Sequence, residues 1–510
     1  MVCAMALPLC SGLYTAASDL SQNGRHITVV TSAALPWMTG TSVNPLLRAA
    51  HLAKAGYDVS LVMPWIEREQ QPRLFPAGLT FDTQRQQEGW IREWLERAAF
   101  SEEETAKLTL RWYGGIYEEF LGAVIQRTGV DVAQIVPAHL RDVAILDEPE
   151  HINWYHHGMQ WTQAFEHVVG VLHTNYAYYA QHEERESGAG EIPPETRALI
   201  MSSLNALVCK AYVDVNIRLS GALEAMPPNG GVVCNVHGVR SDFLTIGADA
   251  AALDDAARGD AFSGGAYFLG KCLWTKGYSN LFEQLGADLE QGRMDLETLP
   301  AIDTYGSGRD QDSIRAALAA SAFAPKVKMH AGIDHAHESL RRYRVFINPS
   351  TSEVLCTATA EALAMGKTVL IPRHPSNAFF EPFANAIVYD DAQQLVPLLA
   401  EALRAPPKAL TPEEQHALSW EAATNRLLDA ARLRADASTL PRDEPLAAAA
   451  YAVHHALGFG PLDDYFRANS GATPVYASAG ERLEAMSAKQ MRKMRLLQRR
   501  RSLAALKSGA

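Results

Sequence analysis

Short apolar runs alternate with helical stretches along the first half of the chain. A run at residues 26–32 is followed by a loop, a helical stretch at 46–55 and a second run at 57–63. Strands that alternate with helices are typical of βαβ units and a parallel sheet. We therefore predict a parallel α/β sheet, with further strands at 142–146, 167–173, 213–220 and 231–236.

The same alternation resumes in the second half of the chain. Residues 246–265 are rich in Ala, Gly and Asp, have little periodicity and predict a connection between two domains. A second doubly wound sheet is predicted after this connection. The fold class is then α/β, with two doubly wound Rossmann-like domains facing a cleft that binds ligands. The strands of the second sheet are expected at 266–270, 302–305, 327–330, 344–348, 368–371 and 386–389.

The predicted organisation has five parts. Residues 1–25 form a disordered N-terminal extension, 26–250 the first Rossmann-like domain and 262–410 the second. Residues 411–435 form a crossover helix, and 436–510 are a loop-like extension with a basic tail. From Glu481 onward the chain has nine basic and two acidic residues, a local charge of +7 within a total of −12.

Composition narrows the class of protein. The chain has 510 residues, of which 47% are apolar and 20% charged, so a sizeable core can form. Six scattered cysteines without a CxxC pair favour reduced thiols over disulfides or a zinc site. No apolar run reaches the roughly 18 residues of a membrane-spanning helix. The acidic body of the chain argues against a nucleic-acid surface.

The most specific string is NPSTSEVLCTATAEALAMGKTVLI at residues 348–371. Glu353 lies in a loop that enters a helix, and Glu361 lies eight positions later within the helix. A helix N-terminus offers free N–H groups and a partial positive charge suited to a diphosphate. Nearby carboxylates can accept hydrogen bonds from a ribose diol or from sugar hydroxyls. Spacing alone also allows two solvated glutamates at the end of a helix.

A second string, YFLGKCLWTKGYSNL, places two lysines after a predicted strand. Lys271 and Lys276 are framed by Gly270 and Gly277. Two cations in a partly dry cleft would stabilise the negative charge that develops as a diphosphate leaves. The alternative is a pair of surface lysines, the commonest location of this residue. The glycine frame after a strand favours the functional interpretation.

These strings resemble the family 4 retaining glycosyltransferases, which have the GT-B fold. The resemblance implies that Glu353 contacts the donor sugar, that Glu361 contacts the nucleotide ribose and that Lys271 and Lys276 face the diphosphate. Two departures are present. Residues 354–356 replace the glycines that usually follow the first glutamate, and Lys271 stands where many relatives have arginine, which loses a bidentate phosphate contact.

Other segments of the chain resemble segments of the same family and occur in the same order along the sequence. The resemblance implies a first-domain loop that closes over the diphosphate, and backbone contacts to the uracil in the second domain. The CNVHGV string at residues 234–239 matches the segment that closes the first domain. The residues of the diphosphate loop are Thr39, Gly40 and Thr41, and those of the uracil contact are Gly332 and Ile333.

The first domain carries two further candidates. His173 ends a predicted strand, where relatives have a histidine facing the donor sugar or the acceptor hydroxyl; a structural histidine is the alternative. The string DEPEHINWYHHG at residues 147–158 suggests a metal by composition. GT-B enzymes generally hold the donor phosphates without a metal, and no second ligand cluster is evident. We therefore predict packing or acceptor binding for this string, and no metal site.

Several strings have a narrower resemblance, to the digalactosyldiacylglycerol synthases of plants and algae, over roughly residues 26–430. It implies retaining transfer of galactose from UDP-galactose to monogalactosyldiacylglycerol, giving an α-1,6 linkage, with no tightly bound cofactor. It also implies an enzyme at the chloroplast outer envelope that faces the cytosol. Residues 26–250 would then bind the acceptor lipid, and residues 262–410 the UDP-sugar. No covalent nucleophile stands out, in line with the front-face displacement described for the family.

Alternatives remain open at this point. One is a UDP-sugar transferase with another sugar or acceptor, and another is a non-catalytic lipid-binding paralogue. A lipid acceptor also requires a membrane contact, for which the sequence offers two candidates. Aromatic residues within 65–138 are either interfacial or part of a helical core. The basic tail forms an imperfect amphipathic helix at an anionic surface, or it is a solvated segment.

Overall fold

The computed structural model describes residues 18–22, 24–119, 121–182, 193–433, 441–458, 463–464 and 467. Within them lie two largely parallel sheets, one in each half of the chain. The predicted α/β class with two doubly wound domains is confirmed. The basic tail and the first 17 residues lie outside the described residues.

The first sheet has eight strands in the order β4-β3-β2-β1-β5-β6-β7-β8. Every pairing is parallel except that of β3 with β4. All five residues of β1 are buried, because helices cover both faces of the sheet. The strands are β1 (His26–Val30), β2 (Asp58–Ile66), β3 (Leu108–Glu118), β4 (Ala123–Gln126), β5 (Val143–Asp147), β6 (His167–Leu172), β7 (Val215–Arg218) and β8 (Val232–Val233).

Among the described residues, seven helices connect these strands. The first begins earlier than the predicted stretch at 46–55, at Gly40, and contains Pro45. Proline has no N–H for the carbonyl of Thr41, four residues earlier. The Thr31 hydroxyl donates to that carbonyl instead, so the helix tolerates the proline. The helices are α1 (Gly40–Lys54), α2 (Gln84–Arg97), α3 (Glu102–Thr105), α4 (Pro149–Asn153), α5 (Trp161–Ala164), α6 (Tyr176–His182) and α7 (Pro194–Tyr212).

The second sheet has six parallel strands in the order β11-β10-β9-β12-β13-β14. Each strand lies within two residues of the run that predicted it. Their hydrophobic side chains form a core with the flanking helices. The strands are β9 (Gly264–Leu269), β10 (Ile302–Tyr305), β11 (Val327–His330), β12 (Tyr343–Ile347), β13 (Thr368–Pro372) and β14 (Ala386–Tyr389).

The segment predicted to be an irregular connection is largely helical. Phe243 of the first helix here is buried, and the Asp254 side chain caps the second by accepting from the Ala257 amide at 2.8 Å. Alanine is the best helix former, so an Ala-rich segment with such a cap is stable as a helix. The two helices are α8 (Ser241–Ala251) and α9 (Asp255–Ala261).

The remaining helices flank the second sheet and then return to the first domain. Trp420 and Leu427 are buried in the first-domain core, and the last helix packs on α7. The prediction that residues 436–510 are loop-like is wrong for residues 445–456, which are helical. The helices are α10 (Tyr278–Glu290), α11 (Gln311–Ala319), α12 (Glu338–Arg341), α13 (Thr357–Ala364), α14 (Leu395–Ala402), α15 (Pro412–Leu418), α16 (Trp420–Ala430) and α17 (Pro445–Ala456).

The return of the chain also fixes the two domains against each other. The Val239 amide donates to the Leu418 carbonyl at 2.9 Å. A Cβ at Gly238 would lie 2.4 Å from the Trp420 amide nitrogen, so only glycine fits this crossing. Within the described ranges, no helix combines the length and apolar character needed to cross a bilayer.

The aromatic residues predicted within 65–138 are half-buried or buried, and the segment that carries them is not mainly helical. Trp90 and Trp94 lie on α2, and Trp112 lies on β3; all three pack against the first-domain core. The Trp112 indole donates to the Gln87 side chain at 3.3 Å. The core interpretation of these aromatic residues is therefore the one that the structure supports, with strands contributing as well as helices.

Candidate active site

A cleft of about 720 Å³ separates the carboxyl ends of the two sheets. The strands at its centre are neighbours, β1 with β5 in the first domain and β9 with β12 in the second, which is where doubly wound sheets bind ligands. Gly332 and Ile333 are not on its walls, and their contact with uracil stays a prediction. The predicted residues that line the cleft are Thr39, Gly40, Thr41, His173, Lys271, Lys276, Glu353 and Glu361.

Lys276 and Glu353 form an ion pair at the centre of the second-domain wall. The ammonium lies 3.0 Å from the carboxylate and 5.8 Å from the ring centroid of Tyr179, which belongs to the first domain. Burial lowers the pKa of Lys276, but Glu353 and Tyr179 outweigh it and the net pKa is raised. Lys276 is therefore a cation at neutral pH.

The pair forms because two loops pack closely. Gly277 follows Lys276 with a φ of 105°, and a Cβ there would meet Pro349 and Ser350 at 3.0 Å. The Ser352 hydroxyl donates to the Thr275 carbonyl at 2.7 Å. β9 and β12 are adjacent strands, and these contacts hold together the loops that follow them, although 77 positions separate the paired charges.

Lys271 is exposed and differs from Lys276 in having no salt bridge to any described residue. It lines both the cleft and an adjoining recess of about 250 Å³. Tyr178, Tyr179 and Arg309 also line this recess. An exposed cation without a salt bridge suits an anionic ligand that binds and leaves.

Glu361 is oriented by a buried histidine. Its Oε2 lies 2.8 Å from His335 Nδ1, and His335 Nε2 lies 2.6 Å from the Tyr267 hydroxyl. Burial and the charge of Glu361 raise the pKa of Tyr267 well above its usual value, so this hydroxyl stays protonated and donates to Nε2. Nδ1–H is then left to donate to Glu361. The carboxylate reaches the cleft with its side chain 25% exposed.

His173 is fixed by a buried carboxylate that the sequence did not single out. Its Nε2 lies 2.7 Å from Asp147, the last residue of β5, which Arg48 also contacts at 3.2 and 3.3 Å. Burial raises the pKa of Asp147, but Arg48 and His173 lower it further, so the net pKa falls. An ionised Asp147 accepts only, and His173 therefore carries its proton on Nε2. Asp147 is the first residue of the DEPEH string, so its place in that string was the sequence signal that could have identified it.

His237 packs edge-to-face on His173, with ring centroids 4.8 Å apart. Burial lowers its pKa well below the usual value, so the ring is neutral. Its Nε2 has no hydrogen-bond partner among the described residues. Because the cleft includes His237, this nitrogen is available to a ligand hydroxyl.

The acidic and histidine-rich string lies on the first-domain wall, where Glu148 and His151 line the cleft. Glu148 has a φ of 66°, a left-handed conformation that costs a non-glycine residue about 1–3 kcal/mol. Such strain is typical of functional sites. Within the described part of the chain, no three His, Cys, Asp or Glu residues are arranged to hold a metal ion.

Comparison with known proteins identifies several curated relatives, whereas no protein-family model matches. Digalactosyldiacylglycerol synthase 1, chloroplastic, of Lotus japonicus is 44% identical over 417 residues, which are 81% of this chain and 50% of the relative. Digalactosyldiacylglycerol synthase 2, chloroplastic, of Glycine max is 42% identical over 411 residues, which are 80% of this chain and 83% of the relative. The chain spans about half the length of the synthase 1 relatives.

Solved structures with a similar outline are more distant in sequence. HepE of Anabaena in complex with UDP has a TM-score of 0.45 and 13% identity, over 79% of this chain and 95% of that chain. TarM has a TM-score of 0.45 and 10% identity, over 80% of this chain and 99% of that chain.

Proposed function

Because this chain belongs to the digalactosyldiacylglycerol synthase family, we propose that it transfers galactose from UDP-galactose to monogalactosyldiacylglycerol. The reaction retains the anomeric configuration and forms an α-1,6 linkage. The observation that carries the proposal is the grouping of Lys271, Lys276, Glu353 and Glu361 on one wall of the cleft. These residue types match a nucleotide sugar: cations for the diphosphate and carboxylates for hydroxyl groups.

The donor is proposed to lie along the second domain. Cys356, Thr357 and Ala358 bring the N-terminus of α13 to the cleft wall, where free N–H groups and the helix dipole favour a diphosphate. Glu361, one turn further along α13, accepts from the ribose diol. Glu353 accepts from hydroxyls of the galactose. No tightly bound cofactor is required by this arrangement.

In the proposed reaction, this chain supplies position and charge. Lys276 stays protonated as the sugar–oxygen bond breaks, and its charge stabilises the departing diphosphate. His173, held by Asp147, faces the acceptor hydroxyl and orients it. The donor phosphate oxygen takes the acceptor proton on the same face of the sugar, which accounts for retention without a covalent nucleophile.

The acceptor requires a peripheral membrane contact. On α7, Met201 lines the cleft while Leu199 and Ile200 are 66% and 53% exposed. Met38, in the loop before α1, is 56% exposed. Apolar side chains of this kind beside the cleft suit a lipid surface. The relatives are named chloroplastic, and we assign the protein to the cytosolic side of the chloroplast outer envelope.

Purified chain, radiolabelled UDP-galactose and monogalactosyldiacylglycerol in mixed micelles provide the test, with products separated by thin-layer chromatography. The expected product is digalactosyldiacylglycerol, whose new linkage is cleaved by α-galactosidase. Glu353→Gln should abolish most of the product, whereas the exposed control Glu297→Gln should not. Product from UDP-glucose but not UDP-galactose would favour the sister function. No product from either donor, with folded protein, would favour a non-catalytic lipid-binding role.

A further inference from the structure

The first-domain wall of the cleft contains polar groups that the donor does not use. Glu148 and His151 lie on this wall with Trp154 and Tyr176, and all four side chains line the cleft. For the string that carries the first three, the sequence predicts either packing or acceptor binding. The contacts of Glu148 and His151 distinguish these two roles.

Glu148 presents an ordered carboxylate to the cleft. It accepts hydrogen bonds from the hydroxyls of Thr174 and of Ser32, the latter at 3.3 Å. His151 Nδ1 lies 3.7 Å from its Oε2. Burial raises the pKa of Glu148, but His151, His173 and the Thr174 hydroxyl together lower it by more. The group is therefore ionised, and its strained backbone fixes its direction.

His151 supplies an unused hydrogen-bonding nitrogen. The ring is only 7% exposed, yet its Nε2 has no partner in the described part of the chain. A buried polar atom without a partner is costly. The hydroxyl of a ligand at this wall would satisfy the nitrogen.

Aromatic and apolar side chains continue from these polar groups. His151 stacks on Trp154 with ring centroids 5.0 Å apart, and Trp154 meets Tyr176 edge-on at 4.6 Å. Leu121 and Met201 pack beside them and also line the cleft. The wall therefore passes from a carboxylate and an imidazole, through aromatic rings, to aliphatic side chains.

This order matches one class of ligand. Hydroxyls of a hexose pair with a carboxylate and an imidazole, and its C–H face packs on aromatic rings. A diphosphate is repelled by Glu148, and an acyl chain leaves His151 unsatisfied. We propose that Glu148, His151, Trp154 and Tyr176 form the subsite for the sugar of the acceptor glycolipid, whose lipid part leaves past Leu121 and Met201. The identification of this sugar as the acceptor rests on the proposed function above.

The test uses the full chain and three variants: Glu148→Gln, His151→Gln and the exposed control Glu297→Gln. Steady-state kinetics with monogalactosyldiacylglycerol in mixed micelles should show a KM for the acceptor raised about tenfold to a hundredfold in the first two, the loss of one charge-assisted hydrogen bond. Affinity for UDP, measured by calorimetry, should be unchanged. An unchanged acceptor KM in folded Glu148→Gln and His151→Gln proteins overturns the subsite and leaves the proposed function intact.

A binding experiment separates the two proposals. Saturation-transfer NMR with octyl β-D-galactoside should give signals from the galactose ring with the native chain, weakened in Glu148→Gln and His151→Gln. If the native chain forms no digalactosyl lipid, the proposed function fails. The subsite then stands on this difference in signals, and equal signals from the native chain and the variants overturn it.

Discussion

The Glu361 carboxylate is hydrogen-bonded to Nδ1 of His335 at 2.8 Å, and Nε2 of the same ring is hydrogen-bonded to the hydroxyl of buried Tyr267. The carboxylate therefore does not enter the cleft as a freely rotating side chain. Its orientation is set before any ligand binds, which reduces the entropy lost on binding. This gives His335 a positioning role.

Replacing Glu361 by Ala is expected to weaken UDP binding about tenfold to a hundredfold, because one charge-assisted hydrogen bond to the ribose is lost. His335→Ala should weaken it less, by about threefold to tenfold, since the carboxylate remains but is disordered. Calorimetric titration with UDP measures both. The double variant should be no weaker than Glu361→Ala alone, because His335 acts through Glu361. Additive losses, or unchanged UDP affinity in folded Glu361→Ala, would contradict the assignment.

Lys276→Ala is expected to reduce turnover about 10²–10³-fold, and to reduce UDP affinity much less, since its charge matters most as the diphosphate leaves. The measurement is kcat for galactose transfer beside the Kd for UDP. Lys328→Ala, which removes an exposed lysine outside the cleft, is the matched control. Turnover within a few-fold of the native value in a folded Lys276→Ala protein would make this lysine structural, serving only its ion pair with Glu353.

The sequence located the residues of the second-domain wall better than it located the residues that support them. Lys271, Lys276, Glu353 and Glu361 lie in strings after predicted strands, and strand ends in a doubly wound sheet lead to the cleft. The family suggested by these strings is confirmed by the curated relatives. Asp147 was missed as the partner of His173, because that contact depends on how β5 and β6 align.

Two elements were missed although signals for them were present. In β3, Leu108 and Leu110 are buried and alternate with exposed Thr109, but the aromatic residues that follow suggested a helix. In α17, Pro445 stands at the first helical position before four consecutive alanines. Proline at this position and alanine in the interior both favour a helix. The prediction of a loop-like extension over 436–510 did not use these two signals.

Acid is expected to destabilise the attachment of α17. His454 lies between the Tyr212 hydroxyl at 3.0 Å and the Trp154 carbonyl at 3.2 Å, and burial lowers its pKa to about 4. The unfolded chain binds a proton near pH 6.5 and the folded chain does not. The contribution of His454 is therefore complete above pH 6.5 and is lost as the pH falls from 6.5 to about 4, by roughly 3–4 kcal/mol at about 1.4 kcal/mol per pH unit.

The measurement is the midpoint of thermal unfolding between pH 4.5 and 8, for the native chain and His454→Gln. The unfolding temperature of the native chain should decrease once the pH is lowered below 6.5. The unfolding temperature of His454→Gln should be lower at pH 8 and should decrease less steeply with pH. His157, which stacks on His454 and whose pKa burial lowers to about 3, adds to the same slope. If the unfolding temperatures of the two proteins change in parallel with pH, His454 does not cause the loss of stability in acid.

The basic tail is expected to attach the enzyme to anionic membrane without taking part in catalysis. Residues 481–510 lie outside the described residues, and their local charge is +7. Each basic residue near an anionic surface contributes about 1 kcal/mol. Deleting 481–510 should lower co-sedimentation with anionic liposomes, most clearly at low salt, because salt screens the attraction. Activity on detergent-dispersed acceptor should persist.

A longer deletion, from residue 441, provides the contrast. It removes α17, whose Tyr451 hydroxyl donates to the Gly158 carbonyl at 3.1 Å and whose His454 contacts Trp154 of the proposed acceptor subsite. This truncation should lose activity even in detergent, because the support of that wall is gone.

If deletion of 481–510 leaves liposome binding unchanged, the tail is not the membrane contact. Ile200→Asp on α7 then becomes the decisive variant, since an exposed charge beside the cleft should release a protein bound through that helix.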